Sequence, residues 1–183
     1  MTIQNNQEDA YVQLARRTIE EYVQTGRQIK VPENLPNEMY QDRAGVFVSI
    51  KIKGESESAL LLRGCIGTIQ AVQPSVAQEI IHNAVSAAVK DPRFSPVTPG
   101  ELDRLVISVD VLGGMERIAS IKELDVKRYG VVVTKGYRRG LLLPNLEGVD
   151  TVKEQVAIAK QKAGIGEAEE GVMLERFEVV RHV

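Results

Sequence analysis

The sequence predicts an α+β fold, an antiparallel sheet flanked by helices. Period-two hydrophobic runs come in pairs joined by short polar turns, a connection that antiparallel strands allow and parallel strands do not. Segments of helical period interrupt those pairs. The chain has 183 residues, enough to bury a core without disulfide or metal staples.

Each element follows from local pattern. Tyr11, Leu14, Ala15, Ile19, Tyr22 and Val23 recur at helical spacing, with Asp9 to cap the start and Gly26 to stop the helix. Arg16, Arg17, Glu20 and Glu21 lie largely off that stripe and read as a solvated face. The stretch from Val31 to Tyr40 is punctuated by prolines and predicts a connector. From Ala44 to Lys53, Val46, Val48, Ile50 and Ile52 alternate with Phe47, Ser49, Lys51 and Lys53, a strand with one wetter face. A polar turn at 54–58 leads to a second strand over 59–69. Pro74 to Lys90 predicts a helix with the proline in its first turn, ended where Asp91 precedes Pro92. Leu105, Ile107, Val109 and Val111 alternate into another strand, closed by Gly113 and Gly114. Runs at 131–134 and 141–143 flank a second hairpin. Thr151 and Glu154 match a capping box for a helix that stops at Gly164. A final strand is expected over 172–181. From the element order, a larger part is expected to reach about residue 145, with the remainder packing against it.

Composition excludes several classes. The 23 Lys and Arg against 25 Asp and Glu give a formal charge of -2, so nucleic acid is disfavoured as the main partner. One cysteine, Cys65, rules out an intramolecular disulfide and any multi-cysteine metal site. His82 and His182 lack the spacing of a metal-binding helix, and no metal site is expected. No apolar run reaches the roughly 18 residues of a spanning helix. The polar first nine residues do not read as a secretory signal, so a cytoplasmic protein is expected.

The candidate site is Leu62-Arg63-Gly64-Cys65-Ile66-Gly67-Thr68. In an extended strand Arg63 and Cys65 share a face. A guanidinium beside a thiol favours the thiolate. Gly64 and Gly67 leave the backbone open to a ligand or a neighbouring segment. Two readings stand: a nucleophilic or ligand-binding Cys65 with Arg63 as anion clamp and Thr68 as hydroxyl partner, or a small thiol buried in a core strand. The open face is expected, because a core strand has no need for an arginine two residues from its cysteine. Asp91-Pro92-Arg93-Phe94 could orient a substrate, pair with Arg63, or simply form an internal Asp–Arg pair at a helix end. Lys135, Arg138 and Arg139 with Tyr137 form a basic tip that could touch phosphate but reads better as solvated. His82 falls beside its helix's apolar stripe and reads as structural.

These same residues, with Ala87-Ala88, Glu101-Leu102 and Gly140-Leu141-Leu142-Leu143-Pro144, resemble the AMMECR family over nearly the whole chain. Leu146 to Val152 with Glu154-Gln155 looks like the prokaryotic members encoded beside a Memo-like and a radical-SAM protein. The resemblance implies two unequal lobes around a cleft near the cysteine motif, and Memo-like and radical-SAM proteins as partners. Arg63, Gly64, Cys65, Gly67, Thr68, Asp91, Arg93 and Phe94 stand at matching positions. Tyr129 precedes Gly130 where many members carry a histidine, and the tryptophan that many carry near the C-terminus is missing. The resemblance leaves any cofactor unknown and brings no defined reaction. The function expected is binding of a small ligand, peptide or partner at a cleft lined by the Arg-Gly-Cys motif. The alternative is an enzyme with Cys65 as nucleophile or thiol carrier.

Overall fold

A computed structural model describes residues 8–56 and 59–183. Helices α1 (Ala10–Thr25), α2 (Asn37–Gln41), α3 (Val76–Val89) and α4 (Val152–Ala163) are joined by eight strands among the described residues. The strands are β1 (Val46–Lys53), β2 (Leu60–Gly67), β3 (Leu105–Leu112), β4 (Glu116–Ile118), β5 (Gly130–Lys135), β6 (Arg138–Leu142), β7 (Met173–Phe177) and β8 (Val179–His182). They form two four-stranded sheets, ordered β2-β1-β3-β8 and β4-β7-β5-β6. All pairings with a defined register are antiparallel, as expected for α+β. Among the described residues no helix is long and apolar enough to cross a membrane.

The chain divides into two compact units, one running through Val111 and resuming at Arg181–Val183, the other covering Leu112–Val180. This corrects the expected boundary near residue 145. The β5–β6 hairpin lies in one sheet with β4 and β7, and α4 packs on it, so it cannot belong to the first part.

In the first unit, α1 and α3 cover one face of the sheet. Val46, Val48 and Ile50 of β1 are fully buried with Ile80, Ala84 and Ala88 of α3 and Val12, Ala15 and Ile19 of α1. Asp9 caps α1 through the Tyr11 and Val12 N–H groups, and Gly26 ends it in the left-handed region. Ser75, not Pro74, caps α3, so the proline lies outside the helix. Gly64 lets β2 lie against α3: a Cβ there would come 2.2 Å from the Ala87 carbonyl oxygen. His182 of β8 stacks on Tyr11 at 3.7 Å and meets the Asp9 carboxylate at 2.5 Å, which pins β8 to the start of α1.

In the second unit, α4 lays Ala159 over the sheet, in a core with Val131, Val133, Leu142 and Ile165. The Thr151/Glu154 capping box and the Gly164 stop both form. Two elements escaped the pattern. The 31–40 connector runs into α2, a single proline-started turn. The run 172–181 is two strands, β7 and β8, because its halves pair in different sheets.

Candidate functional site

Cys65 lies on the sheet face opposite the helices. Its β1 partner is Ser49, whose partner on β3 is Ser108, and the neighbouring row reads Gly67, Phe47, Asp110. Because Val46, Val48 and Ile50 point into the helical layer, Phe47 and Ser49 point away from it. Cys65, Ser49, Ser108 and Phe47 are all half-buried, so this face is polar and incompletely covered.

Asp91 and Arg93 hold Cys65 from the end of α3. The Asp91 carboxylate, 2% exposed, accepts the Cys65 N–H at 3.0 Å and the Arg93 N–H at 3.1 Å. It also accepts Arg93 Nε at 3.0 Å and Nη2 at 2.8 Å, and Nη2 reaches the Cys65 carbonyl at 3.4 Å. The Arg93 guanidinium, reinforced by the backbone N–H groups, holds the Asp91 carboxyl well below the usual carboxylate range. Arg93 also lies over the Phe94 ring at 5.4 Å, a weak cation–π contact.

A second pair completes the face. Asp110, 3% exposed, accepts Arg181 Nε at 2.8 Å and Nη2 at 3.0 Å. Each aspartate raises its arginine above the usual range, and the nearness of Cys65 adds to the rise in both. Both guanidinia therefore lie within electrostatic reach of the thiol.

Two of the expected roles fall elsewhere. Arg63 is the extra residue of a bulge in β2, because the β1 register shifts between Ile50 and Lys51. Its guanidinium binds Glu101 through Nε at 2.7 Å and Nη2 at 3.0 Å, and the Ser95 and Pro96 carbonyls at 2.8 and 3.2 Å. It fastens the 95–101 segment and does not clamp at the thiol. Glu101 is pulled down to about 2, chiefly by Arg63 and then by Thr98. Thr68 faces α3: its hydroxyl donates to Glu79 at 2.7 Å and accepts from Asn83 at 3.1 Å, so it is no partner of Cys65. Fully buried Glu79 also takes the Val72 and Gln73 N–H groups, locking the turn after β2.

The two glycines serve packing. Gly64 admits the Ala87 backbone, and the space of a Cβ on Gly67 is filled by the Phe47 ring, 2.2 Å away. His82 lines a separate depression of about 360 Å³ with Lys30, Gln73 and Gln78. The basic tip is largely compensated: Lys135 and Arg138 both pair with Glu169, and Arg139 pairs with Glu175. Among the described residues no group of three or more His, Cys, Asp and Glu side chains is placed to hold a metal ion.

Sequence reasoning missed Ser49, Ser108, Asp110 and Arg181 as members of this face. The available signal was the aspartate at position 110, a charge on the alternate face of an otherwise apolar strand.

The AMMECR1 family model matches residues 12–182. A protein of Thermotoga maritima is 51% identical over 175 residues, covering 96% of this chain and 98% of its own length. One from Clostridium acetobutylicum is 48% identical over 177 residues, and this chain spans only 36% of it. The crystal structure of the uncharacterized protein PH0010 from Pyrococcus horikoshii superposes with a TM-score of 0.84 at 36% identity, over 93% of this chain and 88% of that one. With a family model that spans both units and a solved structure of the same fold, the chain belongs to the AMMECR1 family.

Proposed function

We propose that this protein is a binding module that presents the Cys65 face of its first sheet to a small ligand or partner. The supporting observation is the Asp91–Arg93 pair, which fixes the backbone on both sides of a half-buried cysteine. A core thiol needs no such anchoring. The face offers one soft nucleophile, two hydroxyls and an aromatic ring, with one cation at the β2 edge and another held on β3, which suits recognition of a polar ligand.

The nearness of Arg93 and Arg181 supports a second reading, in which Cys65 acts as a nucleophile or thiol carrier, since neighbouring cations favour the reactive thiolate. The Memo-like and radical-SAM proteins implied by resemblance are proposed as partners. Their recovery in anaerobic, reducing co-purification supports the proposal, and recovery of neither counts against it.

Native mass spectrometry of the purified protein tests the binding role. A retained small molecule that is lost in Cys65→Ser, with the melting temperature little changed, supports it. A strongly lowered melting temperature in Cys65→Ser, with a thiol that reacts only after unfolding, makes Cys65 a core residue and overturns it. Turnover distinguishes the second reading: a stoichiometric covalent adduct on Cys65 that discharges on incubation identifies a carrier or nucleophile.

A further inference from the structure

We propose that the polar depression beside α3, on the helical side of the first unit and apart from the Cys65 face, is a second binding site. Its ligand is a small molecule carrying an oxyanion group, a carboxylate or a phosphate, held by Lys30 and His82. The depression has a volume of about 360 Å³, within the range of small-molecule sites. Three segments wall it: the stretch 28–31 after α1, Gln73 in the turn before α3, and the α3 face that carries Gln78 and, one turn on, His82. Its apolar lining belongs to the core. Ile81 is 2% exposed, and Ile29 and Val31 pack against the same cluster.

The chemistry of the lining selects the ligand. It holds a lysine, an imidazole and three glutamine side chains, and no carboxylate. Among the described residues Lys30, His82 and the Gln73 side chain make no hydrogen bond and no ion pair. Gln78 uses only its side-chain oxygen, which accepts the Ser75 hydroxyl at 3.4 Å. Unused donors around one cavity with no acid among them complement an anion and repel a cation. The basic tip of the second unit is the contrast. There Lys135 and Arg138 pair with Glu169 and Arg139 pairs with Glu175, so those cations serve the fold.

The walls are set without a ligand. Arg43 donates to the Gln73 and Ala71 carbonyls at 3.2 and 3.4 Å, while buried Glu79 accepts the Val72 and Gln73 N–H groups at 3.0 and 2.7 Å. The turn that carries Gln73 is thus held from two sides. Beyond Val31, the Tyr40 hydroxyl donates to the Pro32 carbonyl at 2.6 Å and accepts the Leu35 N–H at 2.8 Å. His82 and Gln78 ride on a helix whose other side is core. Binding then orders side chains only, on a backbone already in place.

NMR of the histidine ring signals reads the site. The protein has two histidines, and His182, stacked on Tyr11 and bonded to Asp9, is the internal control. The probes are sodium sulfate, a tetrahedral dianion standing for a phosphate group, and sodium acetate. Each is titrated at neutral pH, with sodium chloride adjusted to hold the ionic strength constant. We expect the His82 signals to move along a saturable curve with half-saturation at about 20 mM or below, while those of His182 stay in place. Lys30 is exposed, so Lys30→Met leaves the fold intact; it should weaken the binding about five-fold, the worth of a contact between unit charges in water. Lys30→Arg should restore it. A response to sulfate alone assigns a phosphate-type group, and a response to acetate assigns a carboxylate; either supports the site. Signals unmoved by both anions, or moving alike in both histidines, overturn it. A saturable His82 shift that Lys30→Met leaves unchanged also overturns it, because the lysine is then no part of the site.

Discussion

Asp91 grips Cys65 by its backbone: the carboxylate accepts the Cys65 N–H at 3.0 Å. The same two oxygens take both hydrogen bonds of the Arg93 fork. One buried carboxylate therefore sets the strand position of the thiol and the direction of its neighbouring cation.

Asp91→Asn should destabilise the protein by about 2–4 kcal/mol, since it breaks a buried, multiply bonded carboxylate while half of the paired arginine remains in water. The pH dependence has a definite sign. The folded carboxyl is held well below its usual range, so its stabilisation is complete above an ordinary carboxylate value near 4 and is lost as pH falls below it. Urea unfolding from about pH 7 down to 2 should show a shallower acid limb in Asp91→Asn than in the wild type. Parallel limbs in the two proteins would remove this role.

Glu101 should titrate at about 2 in a carboxyl NMR titration, against an ordinary 4.5. Its contribution to stability is full above pH 4.5 and fades as the pH approaches 2. Arg63→Met should return the Glu101 carboxyl toward its ordinary value and leave the alkylation rate of Cys65 in the folded protein unchanged. A changed rate with an unchanged melt would bring Arg63 back beside the thiol.

Gly64→Ala places a methyl group 2.2 Å from the Ala87 carbonyl oxygen, and backbone atoms cannot yield cheaply. The expected cost is about 1–3 kcal/mol as β2 is pushed from α3. Gly114→Ala is the control, because a Cβ there meets open space. Equal melting temperatures for the two variants would show that Gly64 is kept for something other than packing.

Thr68→Val removes the hydroxyl between Glu79 and Asn83 on α3. Leaving buried polar groups short of a partner should cost about 1–3 kcal/mol. Because Thr68 faces the helical layer, thiol alkylation rates in the folded variant should match the wild type. A selective change in those rates with an unchanged melt would bring Thr68 back to the Cys65 face.

Local chemistry was readable from the sequence wherever the partners are neighbours in it. Asp9, Gly26, Gly164 and the Thr151/Glu154 box act within one helical turn, and each appears where its pattern predicts. Asp91 and Arg93 stand two residues apart, so their pairing was one of the open possibilities. The contact between Arg181 and Asp110 spans a separation of 71 residues and depends on which strand β8 joins, which no local period encodes. Strict alternation put Arg63 on the face of Cys65, and the single extra residue of the bulge undid it. Thr68 was misplaced for a related reason: its partners Glu79 and Asn83 belong to α3 and become neighbours only once the helix docks.

The position of β8 carries a kinetic consequence. The sheet of the first unit takes its fourth strand, β8, from beyond residues 112–178. During synthesis β1, β2 and β3 can pair early, but Asp110 then waits at a sheet edge as a buried-to-be carboxylate without its cation until Arg181 emerges. Such long-range closure slows folding and exposes an unfinished edge in the interval. The Asp110–Arg181 pair is thus the late-assembled part of the Cys65 face, completed only after the second unit has been made.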